Sequence, residues 1–395
     1  MERNSTIKPT PETAPRKADK YIWAIYIALL VISVVELYSA SSREVQASNV
    51  FGPLLRHGMM LFLGFGITLG LSRINYTRFQ QLGWLFIGVS VIIAIYVLFK
   101  GQIINGARRS MTIFGIAFQS AELLKLSVAL MIAYTLAYNQ ERNGVRTWGV
   151  VKCAFFVLGC GGILFTQGLT NTLILMGISA SMMIIGGIQT RKLFAVCIAY
   201  LIIGGFGVYA KIQSKEGRDK EKTELATPDR SGTWVERVNR WSGLEDSIPK
   251  YEQKITAENR QEMYSYMAQA NGALHGVLPG NSRETARLPL AFSDYIFAII
   301  IEDWGFIGGI VLIALYLCLL GRAGAISYNF RNAYPTLLIM GMAVFIVLQA
   351  LFHMAIVTGV FPVSGQPLPM ISKGGSSIIV TSIAFGIMLS VSRTA

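Results

Sequence analysis

The chain has 395 residues, 53% of them hydrophobic and 14% charged. Soluble domains carry about 25% charged residues, so an ordinary soluble globule is excluded, and runs of about 18–25 apolar residues indicate a polytopic, all-α membrane protein. The net charge of +13 is read as basic loops facing anionic lipid, with no nucleic acid as partner, because no aromatic-basic module accompanies it.

Residues 1–20 form a polar, proline-containing cytoplasmic tail, and 21–395 form the membrane domain. The first apolar run lacks a small-residue exit and reads as an uncleaved signal anchor. Hydropathy gives ten transmembrane helices, near 21–39, 57–72, 82–99, 120–138, 149–166, 172–188, 193–210, 294–320, 333–357 and 376–392. Lys and Arg concentrate in the tail and in alternate turns, which puts both termini in the cytoplasm. Arg108, Arg109 and Lys373 then stand as basic exceptions on the outer side. The segment 211–293 is the one large extracytoplasmic loop, between spans seven and eight; its first part is charged and aperiodic, and its second part, with aromatics and glycines, suits short amphipathic helices. The four cysteines fall in apolar runs and the three histidines are scattered, so neither a disulfide framework nor a metal site is read.

Four stretches on the outer side carry the chemistry. "NGARRSM" (105–111) precedes span four, and "FQSAELLKL" (118–126) opens it. Glu122 and Lys125 share a helix face at i, i+3; they fit an intramembrane ion pair, or a cation held by its carboxylate and aimed at an anionic ligand. Arg108 and Arg109 fit lipid phosphate or, through their guanidinium forks, pyrophosphate. The third stretch, 279–305, brings Asp294 to the lip of span eight, as a helix cap or as a partly desolvated general base. Glu302 and Asp303 follow deeper in the same span and need partners within the bundle. The fourth, "TGVFPVSGQPLPMISKGGSS" (358–377), joins spans nine and ten; its "SGQPLPMISKGGSS" part has prolines that block helix and glycines that allow close backbone approach, so it lines a cavity or plugs one.

Taken together, "GARR", "QSAELLKL", "GNS…LP…SDYIFAIIIEDWG" and "LPMISKGGSS" resemble the SEDS proteins (shape, elongation, division and sporulation), along nearly the whole chain from about residue 20 to 393. "PGNS" and "PVSGQPLP" are closer to the division branch than to the elongation branch. The resemblance implies a peptidoglycan glycosyltransferase of the bacterial cytoplasmic membrane that polymerises lipid II at the outer face for septal wall synthesis. It implies a class B penicillin-binding protein and other divisome proteins as partners. Asp294 then matches the essential acid and is the expected base. Arg108, Arg109, Lys125 and Lys373 are expected at the pyrophosphate, with Gln119, Glu122, Glu302, Ser372, Gly374, Gly375 and Ser376 in support. Gly365 and Pro369 match the same terminal loop. No cofactor is required; a divalent cation (Mg or Mn) would assist the leaving group. A lipid II flippase and a non-catalytic scaffold are the alternatives. The sequence departs from the family pattern at Ser110 (usually Trp), Ser120 (usually Pro), the "QGLTNT" turn at 167–172, which lacks an acid, Ala273 and Leu278 (usually Gly), His353 (usually Asn) and Lys373 (usually Tyr or a small neutral residue).

Overall fold

The computed structural model describes residues 17–41, 51–104, 107–113, 116–142, 144–200, 202, 204–205, 241, 253–256, 259–288 and 291–394. The polar tail before residue 17 and most of 206–252 in the long loop lie outside the described residues. The helices are α1 (Lys20–Ser41), α2 (Phe51–Ser72), α3 (Arg78–Lys100), α4 (Ser120–Tyr138), α5 (Thr147–Gln167) and α6 (Leu169–Ile185). Helical residues 190–200 form α7. Then come α8 (Arg260–Gly272), a 3-10 turn at Glu284–Ala286, α9 (Ile296–Ser327), α10 (Ala333–Val357) and α11 (Gly375–Ser392).

Eight of these helices are long and apolar enough to cross a membrane, α1 to α5 and α9 to α11; α6 is apolar but shorter. The expected seventh span, 193–210, runs past the described residues. The expectation of an all-α chain needs one correction. Strands β1 (Gln102–Ile104), β2 (Ala107–Ile113) and β3 (Ile116–Gln119) form an antiparallel sheet in the order β1-β2-β3. A second, two-stranded ribbon, β4 (Gln140–Glu141) with β5 (Gly144–Val145), closes the turn between α4 and α5. Both sheets lie between helix ends, where the backbone needs partners the helices no longer provide.

Burial sorts the helices into centre and rim. Only three of the 19 residues of α4 are not buried, and α10 and α11 are buried nearly as fully. By contrast, α3 buries one stripe, Phe79, Gly83, Ile87, Ser90, Ala94 and Val97, at helical spacing. Its other faces expose Trp84, Leu85, Ile92 and Phe99, as lipid contact requires. The central α10 packs on α4, α6, α9 and α11, while α11 packs closely on α2. That last contact carries a hydrogen bond, Thr68 Oγ1 donating to the Ser382 carbonyl at 3.0 Å, and from α1 the Tyr26 hydroxyl lies 3.3 Å from Ser382 Oγ.

The expected eighth span is two helices, not one. Gly305 has φ 72° and ψ −175°, so α9 is broken there. The break is filled by the main chain of residues 273–278. Val277 and Leu278 N–H donate to the carbonyls of Glu302 and Asp303, each at 2.9 Å. Phe306 and Ile307 N–H donate in turn to Ala273 and Leu274, at 2.9 and 3.4 Å. The fit admits no side chain at the crossing: a β-carbon on Gly305 would stand 2.2 Å from the Leu274 carbonyl, and one on Gly276 2.3 Å from that of Asp303.

Candidate functional site

Several of the residues singled out in the sequence gather at one end of the bundle. Ser120, at the start of α4, donates to Gln167 Oε1 at the end of α5 (3.2 Å). Ser265 and Gln269 of α8 donate to the Val357 carbonyl at the end of α10, at 3.1 and 2.9 Å. The strand β3 packs against α11. The turn before α9 and the loop before α11 close the group.

Asp294 lies in that turn, ahead of α9, and does not cap the helix; the capping position is Tyr295, with no side-chain bond to the helix N–H groups. Three contacts dock the turn onto the loop 364–376. Ser372 Oγ donates to the Ser293 carbonyl at 2.6 Å, and Lys373 N–H to the Phe292 carbonyl at 2.9 Å. The Lys373 ammonium stands 4.1 Å from the centre of the Phe292 ring. Asp294 accepts from Ser293 Oγ at 2.9 Å, and its carboxylate rests on Gly365: a β-carbon there would be 2.6 Å from Oδ2. Glycine at 365 is thus a requirement of close approach.

The loop itself is rigidly held. Leu368 N–H donates to Ser372 Oγ at 2.7 Å, and Tyr316 OH to the Pro369 carbonyl at 2.6 Å. His353 Nδ1 meets the Gln366 carbonyl at 2.6 Å. Ser33 Oγ, 2.9 Å from His57 Nε2, reaches the Ile371 carbonyl. Gly374 is the residue before α11, and Gly375 and Ser376 open it. The backbone amide of Gly374 turns back to the Ser372 carbonyl at 2.7 Å.

The two arginines part company. They are consecutive on β2, so their side chains leave opposite faces. Arg108 is exposed and donates to the carbonyls of Leu98 and Phe99 at the end of α3, where a cation is favoured. Arg109 turns inward and donates through Nε to the Gln167 carbonyl at 2.9 Å. Ser110 faces Gln119 across the sheet. Two departures from the expected family pattern meet at Gln167: Ser120 and the turn at 167–172, in which Asn171 is buried. No adjacency in the sequence signals that grouping.

Lys125 is fully buried. Its ammonium donates to Glu122 Oε1 at 2.8 Å and to Gln349 Oε1 of α10 at 3.1 Å, which places it inside the bundle rather than at its end. Glu302, also fully buried, secures the returning loop. It accepts from Ser282 Oγ, from the N–H of Arg283 at 2.9 Å and of Glu284 at 3.4 Å, and from Asn271 Nδ2 at 3.4 Å. Asp303 accepts from Ser39 of α1, and Trp304 Nε1 donates to Glu36 at 2.7 Å. The partners of both acids, unnamed by the sequence, are thus the loop on one side and α1 on the other. Among the described residues, no group of three or more His, Cys, Asp or Glu comes together as a metal site.

Comparison with known proteins places this geometry. Residues 19–395 match the family model of the FtsW, RodA and SpoVE cell cycle proteins. A Geobacter sulfurreducens protein named "Probable peptidoglycan glycosyltransferase FtsW" is 28% identical, over 95% of this chain and 95% of its own. Stage V sporulation protein E of Bacillus subtilis is 28% identical over 97% and 98%. Among solved structures, one described as "Structural coordination of polymerization and crosslinking by a peptidoglycan synthase complex" superposes with a TM-score of 0.72 at 23% identity, covering 95% and 98%. The rod shape determining protein RodA of Thermus thermophilus gives 0.65 at 22%, covering 95% and 97%. With a family model matched over almost its entire length and the same fold in these structures, the chain belongs to the FtsW/RodA/SpoVE family of multi-pass membrane proteins.

Proposed function

We propose that this protein is a peptidoglycan glycosyltransferase that joins lipid II units into glycan strands, with Asp294 as its general base. The observation that carries the reading is the docking of the Asp294 turn on the 364–376 loop. It holds a half-buried carboxylate at the end of an apolar bundle, on a turn whose Phe292 ring lies under the Lys373 ammonium. In the reaction the acceptor hydroxyl oxygen bonds to the donor's anomeric carbon while Asp294 takes its proton. The bond from that carbon to the pyrophosphate oxygen breaks, and the electron pair leaves with the pyrophosphate. Arg108 and Lys373 carry charge at this end and are assigned to the leaving group. Arg109 and Lys125, engaged with Gln167 and with Glu122 and Gln349, are assigned to positioning the sheet and α4.

In this reading the membrane is the bacterial cytoplasmic membrane and the site is extracytoplasmic. The short helix α6 and the helix beginning at residue 190 complete ten spans with both termini inside, as the distribution of Lys and Arg supports. A penicillin-binding transpeptidase is the expected partner. The division branch is favoured by the relatives named FtsW.

The test is polymerisation of purified lipid II in detergent, with and without a partner transpeptidase. Asp294→Asn keeps the shape and removes the base, so turnover is expected to fall about 10²–10⁴-fold with an unchanged melting temperature. Full turnover by that variant would overturn the assignment of the base; a wild type inactive under all conditions would favour a flippase or scaffold.

A further inference from the structure

At the opposite end of the bundle a cleft of about 350 Å³ opens between α3, α4 and α5. Its walls carry six aromatic side chains, Trp84, Tyr134, Tyr138, Trp148, Phe155 and Phe156, with Lys152 at its edge. We propose that this cleft binds one anionic diacyl phospholipid, with an acyl chain along Phe155 and Phe156 and the phosphate at Lys152.

The cleft is preformed. Trp84 packs edge-on against Tyr134 and Phe156, with ring centres 6.3 and 6.1 Å apart, and Tyr134 stacks on Tyr138 at 6.1 Å. Rings locked against one another in this way do not collapse into the space they enclose. Trp84, Tyr138, Trp148 and Phe155 are nevertheless more than half exposed, so the space lies open at the side of the bundle, toward hydrocarbon.

Its polarity runs along α5. Trp148 is the second residue of that helix and Phe156 lies eight residues on, about 12 Å deeper. The Lys152 ammonium stands 5.7 Å from the centre of the Trp148 ring, between the mouth and the apolar floor. The turn leading into α5 adds Arg142 and Arg146, both exposed, against the single acid Glu141. Lys192 joins them, donating to the Val145 carbonyl at 3.0 Å. An occupant must therefore be apolar at one end and anionic at the other.

Size chooses among such occupants. A helix about 10 Å across fills on the order of 400 Å³ per turn, so the cleft holds less than one turn of a partner's helix, whereas a flexible acyl chain can enter it and leave the rest of the lipid outside. A free phosphate would leave the aromatic walls uncovered. A zwitterionic lipid would fill the walls without using the cations, each of which gives about a fivefold preference for negative headgroups.

The experiment is native mass spectrometry of the full chain in detergent, with an equimolar mixture of phosphatidylglycerol and phosphatidylcholine bearing the same acyl chains. Phosphatidylglycerol is expected to be retained at least fivefold over phosphatidylcholine. Lys152→Glu should lower that preference at least fivefold, and Phe155→Ala, at an exposed ring, should lower retention of both lipids. Arg331→Glu, exposed in the turn between α9 and α10 and not among the residues lining the cleft, should change neither. Equal retention of the two lipids by the wild type would overturn the proposal. So would an undiminished preference in Lys152→Glu, a loss in Arg331→Glu as large as in Lys152→Glu, or displacement of the lipid by inorganic phosphate alone.

Discussion

Two side chains beside the break in α9 sit where the backbone resists them. Ala273 has φ 43° and Leu278 φ 72°, in the left-handed region where a β-carbon costs roughly 1–2 kcal/mol. Both are positions at which the family resemblance leads one to expect glycine, and the Ala273 carbonyl and Leu278 N–H are committed to the crossing with residues 302–307. Ala273→Gly and Leu278→Gly are each expected to raise stability by about 1 kcal/mol, since the strain relieved outweighs the freedom gained by the unfolded chain. Thermal unfolding in detergent checks this. The sequence marked these residues as unusual, but the sign of a backbone angle is not written in a side chain.

At the scale of the element, α4 shows how a charged helix becomes the most enclosed one. Glu122 and Lys125 neutralise each other, and Gln349 takes a further hydrogen of the ammonium. Lys125→Met alone leaves a buried carboxylate without its cation and should cost about 3–5 kcal/mol. The double variant Glu122→Gln, Lys125→Met should recover most of that loss, because neutral groups of similar volume replace the pair. Thermal unfolding measures both; a stable double variant that cannot polymerise lipid II would return Lys125 to the substrate. The spacing of these two residues made the pair legible. The break in α9 was not: one glycine between Trp304 and Phe306 in an apolar run is ordinary for a membrane helix, and only the distant backbone of 273–278 turns it into a bend. The sheet at 102–119 escaped notice for a related reason. Its strands are three to seven residues long, too short for alternation to stand out beside apolar helices.

At the scale of the whole molecule, the residue that leads into α1 is fastened to two distant helices. Asp19 takes Arg322 of α9 in a bidentate pair, Nε donating to Oδ1 at 3.2 Å and Nη2 to Oδ2 at 2.5 Å, and its own N–H donates to Ser392 Oγ of α11 at 3.0 Å. Burial by itself would raise the Asp19 carboxyl. The Arg322 guanidinium and the N–H groups of Ile22 and Tyr21 outweigh it and hold the group below its ordinary value of 3.8. A carboxyl lowered on folding contributes stability that is complete above the unfolded value and lost as pH falls through the folded one. The melting-temperature gap between wild type and Arg322→Ala should therefore be constant above about pH 5 and close below about pH 3; a gap that persists in acid would exclude this origin. Overall class and eight of the ten expected spans followed from hydropathy. What could not follow was contact between remote loops, such as Asp294 on Gly365, since nothing local to either residue names the other.

The crossing at Gly305 has a consequence for how this sequence can drift. Its four hydrogen bonds join main chain to main chain, so most side chains along 273–278 can be exchanged without cutting them. The number of residues cannot. One residue inserted between Ala273 and Leu278 would shift every donor off its acceptor, whereas one inserted at 285–288, past the Glu302 anchor, would only lengthen a turn. The segment is written in spacing rather than in spelling.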